Sequence, residues 1–319
     1  MEVFVKSFNR PFYLERCLLT IERCGGQACN ITVLDDGTPM KYLRAIQSRF
    51  PRVRIVQSPH GELKTKRVAE GSFSESLNDA ELAQLGLVNS QQFWCQEIAK
   101  CNETYICVME EDCWFTRECA FDDLLRHLNI NGALLFRMFW NSIPAVSAQD
   151  RINHRAQAGG IEVQYYFPTL NNSFERTFWF CGAQAIIRRD YWLHACTAPN
   201  YNFTIGTQFS RAFDFVKEMT GKRMTFAQSA GQMIAHGYST TSRKTRFTGE
   251  LFEPHIYNEA LSEAWLAGRF NSAEALPNDF SDDYIASVLG SEMNEDQVAN
   301  WREWKLRFLN YYRSMGAEI

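Results

Sequence analysis

Three adjacent carboxylates, Glu110, Glu111 and Asp112, end an apolar run that begins at Tyr105. Such a run reads as a buried strand, and like charges crowded at its end repel one another and resist losing water. Something positive must sit among them. A divalent cation meets that need, and an all-oxygen ligand set favours Mg²⁺ or Mn²⁺, hard ions that usually keep waters and hold substrate phosphates. The chemistry suggested is a metal-diphosphate site. An acidic turn that is solvated or paired with arginine would account for the same three residues.

A second acidic strand end lies upstream, where Ile31-Thr32-Val33-Leu34 stops at Asp35-Asp36-Gly37-Thr38. Before it, residues 3–7 read as a short apolar strand, followed by a helical pattern that puts Leu14, Cys17, Leu18 and Ile21 on one face. Pro11 near the helix start and Gly25-Gly26 past its end are ordinary punctuation. Pro39 opens a further helix, and residues 53–56 form a third strand. This alternation predicts an α/β fold with a doubly wound, mostly parallel sheet and helices on both faces, where ligands bind at the carboxyl ends of the strands. Both acidic ends then share one rim, although Asp35-Asp36-Gly37 also suits a plain turn. No Gly-x-Gly-x-x-Gly follows the first strand, which disfavours a dinucleotide-binding domain.

The chain has 319 residues, 45% of them hydrophobic, enough to bury a large core. No run of about 18 apolar residues occurs and the N-terminus starts a strand directly, so a soluble, cytoplasmic protein without membrane insertion is expected. Ten cysteines without a Cys-x-x-Cys pair read as buried, reduced hydrophobes. Residues 251–319 carry 12 acidic and 5 basic side chains, a net of −7, which leaves +3 for residues 1–250. A mildly basic body suits an anionic small substrate such as a nucleotide. A nucleic-acid acceptor is conceivable, but the basic stripe of an avid duplex binder is absent.

The order Val5-Lys6-Ser7-Phe8-Asn9-Arg10-Pro11, then Leu14 and Cys17-Leu18, then residues 31–38, then the acidic strand end, resembles the nucleotide-sugar-binding half of GT-A-fold glycosyltransferases, particularly the inverting family-2 type. Glu110-Glu111-Asp112 also resembles the Glu-Asp-Asp variant of the Asp-x-Asp motif. The resemblance covers residues 1–60 and 90–120 well and 176–245 loosely. It implies a GT-A-like catalytic domain over residues 1–250, with a donor half (1–120) and an acceptor half with lid (121–250), plus a helical extension at 251–319. It further implies that Ser7 and Arg10 lie beside the nucleotide, with Asp35 and its neighbour Asp36 at the base. Glu110 or Glu111 would face the ribose and Asp112 would bind the metal. Residues 234–239 resemble a late strand, His and Ser pattern, which makes His236 a second metal ligand and favours Mn²⁺ over Mg²⁺; a structural histidine is the other reading.

Residues 60–90 read as a polar connection in which Lys64, Lys66 and Arg67 either hold phosphate or base, or are ordinary loop cations. Residues 140–176 lack clear periodicity and read as irregular functional loops. Residues 239–248, with Arg243, Lys244 and Arg246, suit a lid over a diphosphate or a solvated loop. Family enzymes place the general base shortly before a helix ending in Gly plus a basic residue. Here a helix over 209–220 ends at Gly221-Lys222-Arg223, but Thr207-Gln208 stand where acids are expected. Asp214 is the nearest carboxylate and the candidate base, unless it is an exposed or salt-bridged helix residue; Glu175 and Asp190 are alternatives.

The tail reads as helices over 260–270, 282–289 and 294–312, whose aromatics pack on the body by default. The resulting expectation is a metal-dependent glycosyltransferase taking a nucleotide-diphosphate sugar to a hydroxyl acceptor. A non-catalytic nucleotide-sugar-binding protein and a nucleotidyltransferase are the alternatives.

Overall fold

The computed structural model describes residues 1–25, 29–69, 84, 90–138, 152–167, 180–197, 205–219, 224–237 and 254–314. The first half runs β1 (Glu2–Ser7), α1 (Pro11–Gly25), β2 (Asn30–Asp35), α2 (Met40–Arg49), β3 (Arg54–Gln57), α3 (Gly61–Ala69), α4 (Ser90–Ala99), β4 (Tyr105–Glu110), β5 (Cys113–Phe115), α5 (Phe121–Ile130) and β6 (Ala133–Arg137). It continues through β7 (Ile152–Ala158), β8 (Ile161–Tyr166), β9 (Ala185–Arg188), α6 (Arg189–Cys196), α7 (Ile205–Glu218), β10 (Thr225–Ser229) and β11 (Ile234–His236). Three helices close the chain: α8 (Pro254–Leu266), α9 (Asp282–Gly290) and α10 (Glu295–Ser314).

Among the described residues the strands build a nine-stranded sheet in the order β3-β2-β1-β4-β9-β6-β10-β8-β7. The first four are parallel, β9 is wedged antiparallel between β4 and β6, and β6 pairs parallel with β10. Alternation along the strands then sorts side chains to two cores. Val3, Val5, Cys107 and Met109 pack with Leu14, Cys17, Leu18 and Ile21 of α1 on one face, all of them nearly or fully buried. Phe4, Ile106 and Val108 pack on the other face with Phe93 and Ile98 of α4, Trp192 of α6 and Val216 of α7. The result is an α/β fold, as expected from the sequence, with helices on both faces of the sheet and a helical C-terminal segment. No helix among the described residues is long and apolar enough to cross a membrane, and all ten cysteines are free.

Two stretches differ from expectation. Part of the apparently aperiodic segment 140–176 forms the antiparallel hairpin β7-β8 at the sheet edge. Its first strand hides its periodicity because an edge strand leaves Asn153, His154 and Arg155 exposed. Parts of the expected connection 60–90 are helix, as α3 and the start of α4. Lys64 of that segment is buried, whereas Lys66 is exposed.

The C-terminal helices extend the α1-side core, to which Trp265, Phe270, Phe280, Trp301, Trp304 and Phe308 contribute. Arg16 on α1 anchors them. Its guanidinium lies 4.3 Å from the ring centroids of both Trp114 and Phe280. It donates to the carbonyls of Ser272 (2.9 Å) and Glu274 (2.8 Å) and to that of Asn278. Trp114 Nε1 donates to Pro277 O at 2.7 Å and Trp265 Nε1 to Glu15 at 2.5 Å. Such a hub is costly to delete because its carbonyl partners lose a charged donor while the ring sandwich collapses. Arg16→Ala is therefore expected to lower unfolding stability by about 3 kcal/mol or more, read as a fall in the urea midpoint; a change within about 0.5 kcal/mol would show that the tail docks without it.

Candidate functional site

Sheet register decides which residues meet at the carboxyl rim. Ser7 lies opposite Asp35, and Lys6 opposite Glu110. The two acidic strand ends thus flank the end of β1. Since β9 runs antiparallel, its beginning, not its end, reaches the same rim and brings Gln184 with it. Asp36 N donates to Ser7 O at 2.8 Å and Glu111 N to Lys6 O at 3.0 Å, so both acidic turns are tied to β1.

Arg10, in the short loop entering α1, supplies the positive charge that the carboxylates require. Its Nε and Nη2 donate to Glu111 Oε1 at 2.9 and 2.8 Å, and its Nη1 lies 2.9 Å from Asp112 Oδ2. All three residues are buried. Burial alone would make Arg10 easier to deprotonate, but Asp112 and Glu111 more than reverse this and hold it charged. Burial pushes the Glu111 carboxyl up; Arg10 pulls it back, and the neighbouring Asp112 charge adds to the rise. Glu110 behaves oppositely. Burial would raise it too, yet Lys6 at 3.2 Å, His236 and the Gln184 amide at 2.7 Å hold it down at about 2. The Lys6 ammonium in turn lies 4.8 Å from the Trp94 ring centroid.

Glu110, Asp112, Cys113 and His236 form a candidate metal group, with one ligand atom from each lying within 4.8 Å of the others. The ribbon β5-β11 creates it by placing His236 opposite Cys113, and Gly237 N donates to Asp112 O at 2.6 Å. His236 Nε2 stands 3.5 Å from Asp112 Oδ2. Two carboxylates with an imidazole fit a divalent cation, and the nitrogen donor favours ions of the Mn²⁺ kind over Mg²⁺. Burial holds the Cys113 thiol well above its usual range, so it would ligate only on losing its proton.

The end of β2 is built differently. Asp35 is wholly buried and accepts from Gly37 N at 3.1 Å and Thr38 N at 3.0 Å, closing its own turn. Burial raises it, these bonds offset only part of the rise, and it stands at about 6. Asp36 accepts from His60 Nε2 at 2.7 Å, from Ser90 Oγ at 2.5 Å and from Lys64. Burial would raise its pKa, but those partners outweigh it and hold it low. Gly37, at φ 136°, packs against α3: a Cβ there would come within 3.0 Å of Gly61 O and Lys64 Cβ.

Other candidates fall apart from this centre. Asp214 is exposed on α7. Gln208, near the start of that helix, has its side-chain oxygen 3.4 Å from the position a Cβ on Gly182 would take. Asp214 is six residues further on, about 9 Å along the axis at the α-helical rise. Asp190 follows β9 on the opposite rim and pairs with Arg188. Lys66 is an exposed residue of α3. Arg243, the 239–248 lid and Glu175 lie outside the described residues. Sequence reasoning gave no role to Lys6, inside the block of residues 5–11, to Cys113, next to Asp112, or to Gln184, His60 and Ser90, which no spacing signals.

No family model and no curated protein sequence matches the chain. Among solved structures it is similar to residues 1–349 of S. aureus TarS, at 10% identity and TM-score 0.47, over 96% of this chain and 79% of that one. The same fragment in complex with UDP-GlcNAc aligns at 10% identity and TM-score 0.46, over 98% and 91%. A mycobacterial protein aligns at 12% identity and TM-score 0.41, over 85% and 75%. Likenesses this remote carry nothing about chemistry.

Asp35→Asn should keep the turn, because an amide oxygen still accepts from Gly37 and Thr38. The wild-type carboxyl binds its proton more tightly folded than unfolded, so its stabilising contribution is complete below about pH 4 and is lost as pH rises through about 6. The stability difference between wild type and Asp35→Asn should therefore fall by about 2 kcal/mol from pH 4 to 7 in urea titrations; a pH-independent difference would show that Asp35 ionises freely. At Gly237, a Cβ would lie 2.5 Å from the Tyr13 ring, which is itself stacked on Trp114. Gly237→Ala should cost about 1–3 kcal/mol in unfolding and loosen His236 from Asp112; wild-type stability would show that the ring yields.

Proposed function

We propose that this protein is a metal-dependent, inverting glycosyltransferase that moves a sugar from a nucleotide-diphosphate donor to a hydroxyl acceptor. The observation that carries this reading is the register at the rim: the ends of β1, β2 and β4 lie side by side, with a candidate cation group beside a buried arginine fork. In this reading a base removes the acceptor hydroxyl proton as its oxygen attacks the anomeric carbon, and the bond from that carbon to the diphosphate oxygen breaks. Negative charge grows on the leaving nucleotide diphosphate. A cation held by Glu110, Asp112 and His236 would offset it. Ser7, Arg10 and the Asp35-Asp36 turn would frame the nucleotide, with Asp35 shaping the turn through its own hydrogen bonds.

A second reading is favoured by one feature of α7. Thr207 and Gln208 stand where the resembled family carries acids, and Asp214, the proposed base, faces solvent. A protein that binds a nucleotide sugar without transferring it would show this pattern. Donor turnover separates the two, because a binder would never release free nucleotide.

A ligand that binds only the native state raises its apparent stability. A thermal-shift screen of nucleotide sugars should accordingly reveal a donor whose stabilisation requires Mn²⁺, and Asp112→Asn should abolish that stabilisation. An Asp112→Asn protein with unchanged metal-dependent donor binding would overturn the assignment of the site.

A further inference from the structure

Asp112 Oδ2 serves two neighbours at once, the Arg10 Nη1 at 2.9 Å and the His236 Nε2 at 3.5 Å. A cation drawn to the group of Glu110, Asp112, Cys113 and His236 must share Asp112 with a buried guanidinium that already holds it. Two positive charges cannot sit a few ångströms apart on one buried carboxylate without strong repulsion.

The arrangement of Arg10 gives it a way to yield. Its backbone is fixed, since its carbonyl accepts from Tyr13 N at 3.1 Å and Leu14 N at 3.0 Å. Its side chain grips Glu111 through two nitrogens and Asp112 through a third. Releasing Nη1 leaves both bonds to Glu111 in place, so Glu111 acts as a pivot. Charge balance points the same way. Among the described residues, Glu110, Glu111 and Asp112 face Lys6 and Arg10, a formal surplus of one negative charge. A divalent cation reverses that sign, and the two charges of a diphosphate diester restore it.

We propose that Arg10 is a displaceable counter-ion that competes with the divalent cation for Asp112, releasing its Nη1 arm when the cation enters while Glu111 retains the rest. Arg10 is thus a positioning residue that holds the acidic cluster together before ligands arrive. The inference rests on the reading of Glu110, Asp112 and His236 as a cation site.

The test titrates the full chain with MnCl₂ alone and follows the free-ion signal by electron paramagnetic resonance, comparing wild type, Arg10→Met, Arg10→Lys and Asp112→Asn. Removing the competing charge should tighten Mn²⁺ binding by about tenfold or more in Arg10→Met, since even one such close charge contact outweighs a tenfold change. Arg10→Lys, which keeps the charge but cannot fork, should fall between the two, and it decides the matter if Arg10→Met does not fold. A merely structural arginine would give the opposite sign, weaker binding in both variants. Equal or weaker Mn²⁺ binding in the Arg10 variants, with wild-type binding lost in Asp112→Asn, would overturn the competition and leave the cation site standing. Absence of Mn²⁺ binding in every variant would overturn both.

Discussion

A strand that ends in three carboxylates cannot be buried unless cations are brought to it, and the placement of Arg10 and Lys6 answers that demand. Arg10 forks across Glu111 and Asp112, while Lys6 and the Gln184 amide take Glu110. These contacts join elements far apart in sequence: β1, the entry of α1, the turn after β4 and the start of β9. Removing one partner would leave the others as uncompensated buried charges, which is why such clusters resist piecemeal change. The same cluster splits its acids, with Glu110 held low and Glu111 pushed up. Neighbouring carboxylates can then play different parts.

The rim beside this cluster is rigid for a different reason. Asp36 has two basic partners and a hydroxyl, from His60, Lys64 and Ser90, and these bind the turn after β2 to α3 and to the start of α4. Gly37 lets the turn press against α3 where a side chain would collide. Both acidic turns are thus braced from outside the sheet, leaving the pair β5-β11 to bring His236 and Cys113 alongside Asp112. Because Trp114 of that ribbon stacks on Tyr13 of α1 and Gly237 abuts the same ring, the geometry of the cation group depends on packing on the α1 side of the molecule.

Tyr13 and Arg16, both on α1, link this region to the C-terminal helices. The Tyr13 hydroxyl donates to Asp279 at 3.1 Å, and the Arg16 guanidinium satisfies carbonyls between Ser272 and Asn278. The acidic surplus of the tail is consistent with such docking, since Arg16 on the body presents a cation to it. A helix that supplies Arg10 at its entry and Arg16 within its second turn couples the site to the tail through rigid packing.

Much of the frame was legible in one dimension. The periodic burial of Leu14, Cys17, Leu18 and Ile21, the apolar strands 31–34 and 105–109, and the helices of the tail follow from local hydrophobic patterns, which depend only on near neighbours in the chain. The sharing of one rim by Asp35 and Glu110 was legible for the same reason, because a parallel sheet puts successive strand ends together. The β7-β8 hairpin was hidden because an edge strand shows polar residues to solvent, and the helices within 60–90 because their sequence is polar. That Arg10 meets the acidic triad was beyond any pattern, because only the approach of the α1 entry to the β4 turn brings it there. The inward turn of Asp35, the choice of Lys64 over Lys66, and the roles of His60, Ser90, Gln184 and Cys113 were likewise set by tertiary structure. Side-chain partnership across tens of residues depends on strand order and register, and neither is encoded in local spacing.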